Sequence, residues 1–216
     1  MRIARAATGS RVPHVLMMMP AVALLISTPV GASLIITVGS AVSSSPSSND
    51  TLEVTLTNTG PASLSLAAFS FEIEVTDPHV TFTSATTETG AAYVFAGNST
   101  FGPTISTSAP GQTLDASDLW AGAGGALVGA GATVGLGHVF FDVSAGALPG
   151  PMTVMLSPFP ATSLSDALGD PIGIDALTNG SITISSVPEP SALTFTLLGL
   201  AALTWTRRLD SAIALP

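Results

Sequence analysis

The chain has 216 residues, no cysteine, no lysine, and five arginines against fourteen acidic residues, for a formal net charge of −9. The arginines sit only at the ends, Arg2, Arg5 and Arg11 at one and Arg207 and Arg208 at the other, while residues 33–187 hold twelve of the acids and no Lys or Arg. Such a body excludes electrostatic binding of phosphate backbones, and the missing cysteine excludes disulfides, thiolate metal sites and cysteine nucleophiles.

Residues 1–32 read as a secretory signal peptide. The three N-terminal arginines form its positive region, and Val15 to Ile26 form a short apolar core. Val30-Gly31-Ala32 places small residues at the −3 and −1 positions, so cleavage is expected between Ala32 and Ser33. The apolar run is shorter than the roughly 20 residues a membrane span needs, so it suits transient use in export by the Sec route.

Residues 33–186 read as one all-β domain, predicted to be an antiparallel sandwich of the jelly-roll or Greek-key kind. A first strand is expected near Leu34–Val38, joined by a polar loop, Ser43 to Asn49, to the next. Apolar residues then alternate with polar ones through Leu52, Val54 and Leu56, through Phe69, Phe71, Ile73 and Val75, and through Val80 and Phe82. The same period returns at Val139, Phe141 and Val143, at Met152, Val154 and Leu156, and at Ile182 and Ile184. A period of two marks strands with one face on a core. Asn58-Thr59-Gly60-Pro61, Asp77-Pro78, Leu148-Pro149-Gly150-Pro151 and Asn179-Gly180 read as turns. The glycine-rich stretch from Ala116 to Gly137 lacks a Gly-Lys-Ser/Thr, and is expected to be a surface loop rather than a phosphate cradle.

The C-terminal segment, residues 187–208, begins with Val187-Pro188-Glu189-Pro190 and continues through an apolar run, Ala192 to Thr206, to Arg207-Arg208. Fifteen helical residues rise about 22 Å. This is somewhat less than the roughly 30 Å hydrocarbon core, so flanking residues must complete a transmembrane helix. The two prolines keep the preceding segment extended, in a form a processing enzyme can grip. A short tail, residues 209–216, follows.

This ordered set resembles the PEP-CTERM sorting signal of Gram-negative bacteria. The resemblance implies recognition by an exosortase-type enzyme, a transient anchor in the inner membrane, and release to the cell surface or an exopolysaccharide matrix. Val187, Pro188, Glu189, Pro190, Arg207 and Arg208 would carry the sorting. The tail departs from the pattern, in which the chain stops soon after the arginines. The body resembles cohesin-like and carbohydrate-binding-module-like β-sandwiches. The matching segments are Leu52–Asn58 (LEVTLTN), Phe69–Val75 (FSFEIEV), Val80–Ala85 (VTFTSA), Val134–Val143 (VGLGHVFFDV) and the closing Leu177–Ile184 (LTNGSITI). This second resemblance implies a scaffolding or adhesion domain, or a module that binds dockerin partners.

Catalytic signals are weak. His79 and His138 are the two histidines of the body, and no Gly-x-Ser-x-Gly elbow accompanies them, so no catalytic residue is assigned and the chain is read as not an enzyme. Asp166, Asp170 and Asp175 read as one acid-rich loop, and Asp115 and Asp118 as another, that could supply oxygens to a structural calcium, although neither has EF-hand spacing. Trp120 is the candidate sugar-stacking residue, with a role in anchoring the core or a loop as the alternative. The resulting expectation is a non-catalytic exported protein, structural or adhesive, at the surface or in the matrix. The alternative is a carbohydrate-binding or dockerin-type partner-binding module. Its acidity favours a neutral polysaccharide or a protein partner over an anionic polymer.

Overall fold

The period-two pattern becomes strands because each alternating segment can bury one row of side chains and leave the other in water. A computed structural model describes residues 31–186, apart from Ala109. Most of the signal peptide and all of the sorting segment, from Val187 through Arg208, lie outside these residues. Among the described residues no helix is long and apolar enough to cross a membrane.

The described strands are β1 (Leu34–Val38), β2 (Ser40–Ser44), β3 (Ser47–Asn58), β4 (Leu64–Leu66), β5 (Ala68–Val75), β6 (Val80–Thr86), β7 (Thr104–Ser108) and β8 (Thr113–Leu119). They continue as β9 (Ala126–Val128), β10 (Thr133–Val143), β11 (Gly150–Leu156), β12 (Ser163–Ser165), β13 (Pro171–Ile172), β14 (Ala176–Thr178) and β15 (Gly180–Ser185). The first sheet has the order β14-β1-β3-β10-β6. In the second, β7 and β8 lie on one side of β5. The other side of β5 is shared by β12, at Ala68–Ser70, and by β11, at Ile73–Val75, from which β15 and β2 continue. A separate pair, β4 and β9, covers one end.

The core lies between the sheets. Leu52, Val54 and Leu56 of β3 face Phe69, Phe71 and Ile73 of β5, with Val139 and Phe141 of β10 and Ile182 and Ile184 of β15 in the same cluster. Each such side chain contributes about 1.5–3 kcal/mol by leaving water. Phe69, Tyr93, Phe95 and Trp120 form an aromatic chain at one end, with successive centroids 6.4, 6.4 and 5.9 Å apart. Tyr93 and Phe95 come from a coil segment that alternation does not flag.

Five expectations are corrected. The sandwich is not wholly antiparallel: β1 pairs β14 and β15 pairs β2 in parallel. The cause is a double crossover. The chain leaves the first sheet for the second at Gly39, between β1 and β2, and again at Asn179, between β14 and β15. Asn179-Gly180 is thus a sheet crossing rather than a hairpin turn. A β-carbon on Gly180 would meet the Gly39 carbonyl oxygen at 2.2 Å, so the two crossings pack backbone on backbone and only glycine fits. Asn179 is used too, its Oδ1 accepting the Leu156 N–H at 3.0 Å.

The polar run Ser43 to Asn49 is not a loop. Ser43 and Ser44 end β2, and Ser47 already opens β3. The hydroxyls of Ser43 and Ser47 both donate to Asp50 Oδ2, at 2.5 Å each, which folds the run on itself. The stretch Ala116 to Gly137 is likewise mostly strand, contributing to β8, β9 and β10. Gly137 lies in β10 because the Phe71 ring would stand 3.0 Å from a β-carbon there, so the glycine makes room for a core aromatic. Lastly, Asp115 and Asp118 are not loop acids. They lie on β8, three residues apart, and therefore on opposite faces.

Candidate partner-binding face

The outward row of β5 is Ser70, Glu72 and Glu74, and that of β8 is Thr113, Asp115 and Ser117. The antiparallel register sets Glu72 directly against Asp115, Glu74 against Thr113 and Ser70 against Ser117. On the next strand, Ser106 of β7 stands against Asp115, and its hydroxyl donates to Asp115 Oδ2 at 3.2 Å. On the other side Met155 of β11 pairs with Glu74. The outer surface of β7-β8-β5-β11 is therefore a flat field of Ser, Thr and Met around three carboxylates. Like charges directly opposite on paired strands repel. No Lys or Arg in residues 33–187 can neutralise them.

The inner face of β8 treats a carboxylate differently. Asp118 is 2% exposed. Its Oδ2 accepts the Tyr93 and Ser99 hydroxyls, each at 2.6 Å, and its Oδ1 accepts the Leu119 N–H at 2.7 Å. Ser99 Oγ in turn accepts the Gly102 N–H at 2.6 Å. The network fastens the segment from Tyr93 to Gly102 over the end of the sandwich. Burial, then the hydrogen bond to Asp118 and its negative charge, push the Tyr93 hydroxyl well above the ordinary tyrosine range.

The remaining candidates are scattered. His138 Nδ1 lies 2.7 Å from Glu53 Oε1 on the outer face of the first sheet, and that oxygen also accepts the Gly90 N–H at 2.7 Å. His79 Nδ1 reaches Ser144 Oγ at 3.0 Å, but the nearby Asp77 carboxylate is spent on the His79 backbone N–H at 2.8 Å rather than on the ring. This pair therefore lacks the orienting acid of a triad.

Asp166 Oδ1 caps its own turn by accepting the Leu168 and Asp170 N–H groups, and Asp175 Oδ2 accepts the Leu34 N–H at 2.7 Å. Among the described residues no group of three His, Asp or Glu side chains is arranged to hold a metal ion. Ser33, beyond the expected cleavage point after Ala32, is tied into the fold, its carbonyl accepting the Thr59 N–H at 2.7 Å. Trp120 is half-buried against Phe95 at the end of β8. Alternation identifies Glu72 and Glu74 as outward residues of FSFEIEV. The pairing with Asp115, more than forty residues away, is visible only in the fold.

No protein-family model matches the chain, and no curated protein matches it. Solved structures do. The structure of a type I cohesin–dockerin complex from Clostridium thermocellum matches with a TM-score of 0.53 at 13% identity, covering 71% of this chain and 99% of the other. The sixth cohesin of scaffoldin B from Acetivibrio cellulolyticus, solved with a dockerin, gives 0.51 at 13% identity over 71% and 99%. A non-cellulosomal cohesin from the archaeon Archaeoglobus fulgidus gives 0.50 at 14% identity over 72% and 93%. At these identities the likeness is one of fold, and it makes residues 31–186 a cohesin-like β-sandwich.

Proposed function

We propose that this domain is a non-catalytic, exported module that docks a basic protein partner on the outer surface of β7-β8-β5-β11. The observation that carries the reading is the facing pair Glu72 and Asp115, with Glu74 beside them, in a domain without a cation of its own. A partner's Lys or Arg side chains would relieve that repulsion, giving charge complementarity that sets orientation and on-rate. Similar folds crystallised with dockerins support a protein as the occupant. Surface adhesion or matrix scaffolding would be the outcome of such docking.

The ends supply the route. The signal peptide would direct export with a cut between Ala32 and Ser33, and an exosortase-type enzyme would process the chain near Val187-Pro188-Glu189-Pro190. Arg207 and Arg208 would hold the transient anchor on the cytoplasmic side. Mass spectrometry of the native product tests this part: the account expects a C-terminus close to Pro190, and a mature protein intact through Pro216 contradicts it. Surface plasmon resonance against a panel of dockerin modules tests the docking. Binding that weakens with salt, and falls at least about tenfold in Glu72→Gln/Asp115→Asn, is expected. Binding indifferent to both changes would place the interface elsewhere.

A further inference from the structure

A concave feature lies at one end of the same acidic sheet, where Ala68 and Leu119 continue the outward rows of β5 and β8. A cleft of about 620 Å³ opens between the glycine-rich segment Ala121–Gly125 and the turn at Asp166–Gly169, with Trp120 and Leu119 in its lining. Three large apolar side chains stand in water at or beside it: Phe101 is 72% exposed, Leu119 48% and Leu168 86%. Phe101 follows Thr100, which lines the cleft, and Leu168 lies between the lining residues Ala167 and Gly169.

The indole N–H of Trp120 is buried, with no hydrogen-bond partner among the described residues. Leaving such a donor unmade costs about 1–3 kcal/mol, and native structures rarely do so without a reason. Gly122 closes over it: a β-carbon there would lie 2.6 Å from Nε1. Two further glycines of this wall, Gly124 and Gly125, have φ of 82° and 83°. The cover is therefore backbone with almost no side chain, tied at Ala121, whose N–H donates to the Asn98 carbonyl at 2.7 Å, and at Gly124, whose carbonyl accepts the Ser65 hydroxyl, with Gly122 between the two.

We propose that this cleft is a subsite for a neutral saccharide, with Phe101 stacking on a sugar ring and Trp120 donating its N–H to a hydroxyl once Gly122 shifts. A sugar ring carries both an apolar C–H face and a rim of hydroxyls. The cleft offers both complements: Leu119 exposed in its lining with Phe101 and Leu168 beside it, and the Trp120 indole N–H beneath a wall of small residues. Asp166 adds an acceptor, because both backbone N–H groups it caps are held by Oδ1. With no Lys or Arg in residues 33–187, an anionic sugar has no counter-charge. The subsite adjoins the docking face but uses none of its three carboxylates, and stands whether or not that face binds protein.

The test is a titration of the ¹⁵N-labelled full-length chain with neutral β-glucan, xylan and chitin oligosaccharides, with oligogalacturonate as the anionic control. The Trp120 indole resonance is assigned by its loss in Trp120→Phe. At least one neutral oligosaccharide should shift that resonance, and the anionic control should not. Trp120→Phe and the surface change Phe101→Ala should each weaken binding about tenfold. Glu72→Gln/Asp115→Asn should leave it unchanged. No shift with any neutral oligosaccharide at about 10 mM, weaker than any useful subsite, overturns the proposal. So does saccharide binding that survives Phe101→Ala, or that is lost in Glu72→Gln/Asp115→Asn. A dockerin that moves the indole resonance where no sugar does would assign the cleft to a protein interface, and also overturns it.

Discussion

The outer surfaces of the two sheets carry the same residue types and use them in opposite ways. On the first sheet the chain engages its own carboxylates: Glu53 holds His138 and the Gly90 N–H, and Asp142 accepts the Asn49 N–H at 2.9 Å. On the second sheet Glu72 faces Asp115 across paired strands, and among the described residues no hydrogen bond engages the carboxylate of Glu72 or Glu74. One surface is internally satisfied. The other is arranged at a cost to the isolated domain, and a partner's cations are what would remove that cost. Strand β8 repeats the contrast within a few ångströms, since Asp118 on its inner face is satisfied by the protein and Asp115 on its outer face has only one hydroxyl.

This contrast can be attacked at both carboxylates of β8. The largest effect is expected from Asp118→Ala, which strands the buried hydroxyl of Tyr93 and the half-buried one of Ser99 and should lower unfolding free energy by about 3 kcal/mol in urea. A loss under about 1 kcal/mol would mean that the network does not fasten the Tyr93–Gly102 segment.

The next effect is one of alkaline pH. Tyr93 is the single tyrosine of the chain, and its folded-state pKa is raised. The folded state therefore keeps a proton that the unfolded chain releases near pH 10, so this contribution is present below about pH 10 and is lost as pH rises above it. No lysine titrates in the same range. Phenolate absorbance should appear together with unfolding rather than before it, and Tyr93→Phe should flatten the alkaline limb. A phenolate that forms in the folded protein near pH 10 would contradict the burial argument.

The smallest effects carry opposite signs. Glu53→Gln should cost about 0.5–1 kcal/mol, because an engaged acid is weakened. Glu72→Gln or Asp115→Asn should raise stability by a few tenths of a kcal/mol, because a repulsion is removed. Thermal melts at low salt separate the two, and equal signs would break the comparison between the sheets.

Much of the framework is legible in the residues themselves. Strands β1, β3, β5, β6, β10, β11 and β15 all contain the alternating apolar rows read from the sequence, because each buries large side chains on one face only. Strands β2, β7 and β8 escape that reading. Ser-Ala-Val-Ser-Ser, Thr-Ile-Ser-Thr-Ser and Thr-Leu-Asp-Ala-Ser-Asp-Leu pair through the backbone; β7 buries no residue fully, β2 only Ser43, and β8 sets Leu114 beside the small or polar Ala116 and Asp118, so they leave little hydrophobic trace. The burial of Asp118 is equally silent, since its hydroxyl partners lie 25 and 19 residues away. The closing LTNGSITI segment reveals its strand but not its crossing, because the need for Gly180 comes from Gly39 at the other end of the chain. The proposed docking face depends on register between β5 and β8, a long-range property that no local pattern encodes.

The absence of lysine provides the most direct test of the docking face. Zero-length carbodiimide coupling joins carboxylates to lysine amines, and this chain has no lysine of its own to compete. Applied to intact cultures that produce the native protein, the reaction should yield peptides from other proteins joined through lysine to Glu72, Glu74 or Asp115. Cross-links confined to Glu53, Asp142, Asp166 or Asp170, with none at the three facing acids, would contradict the account.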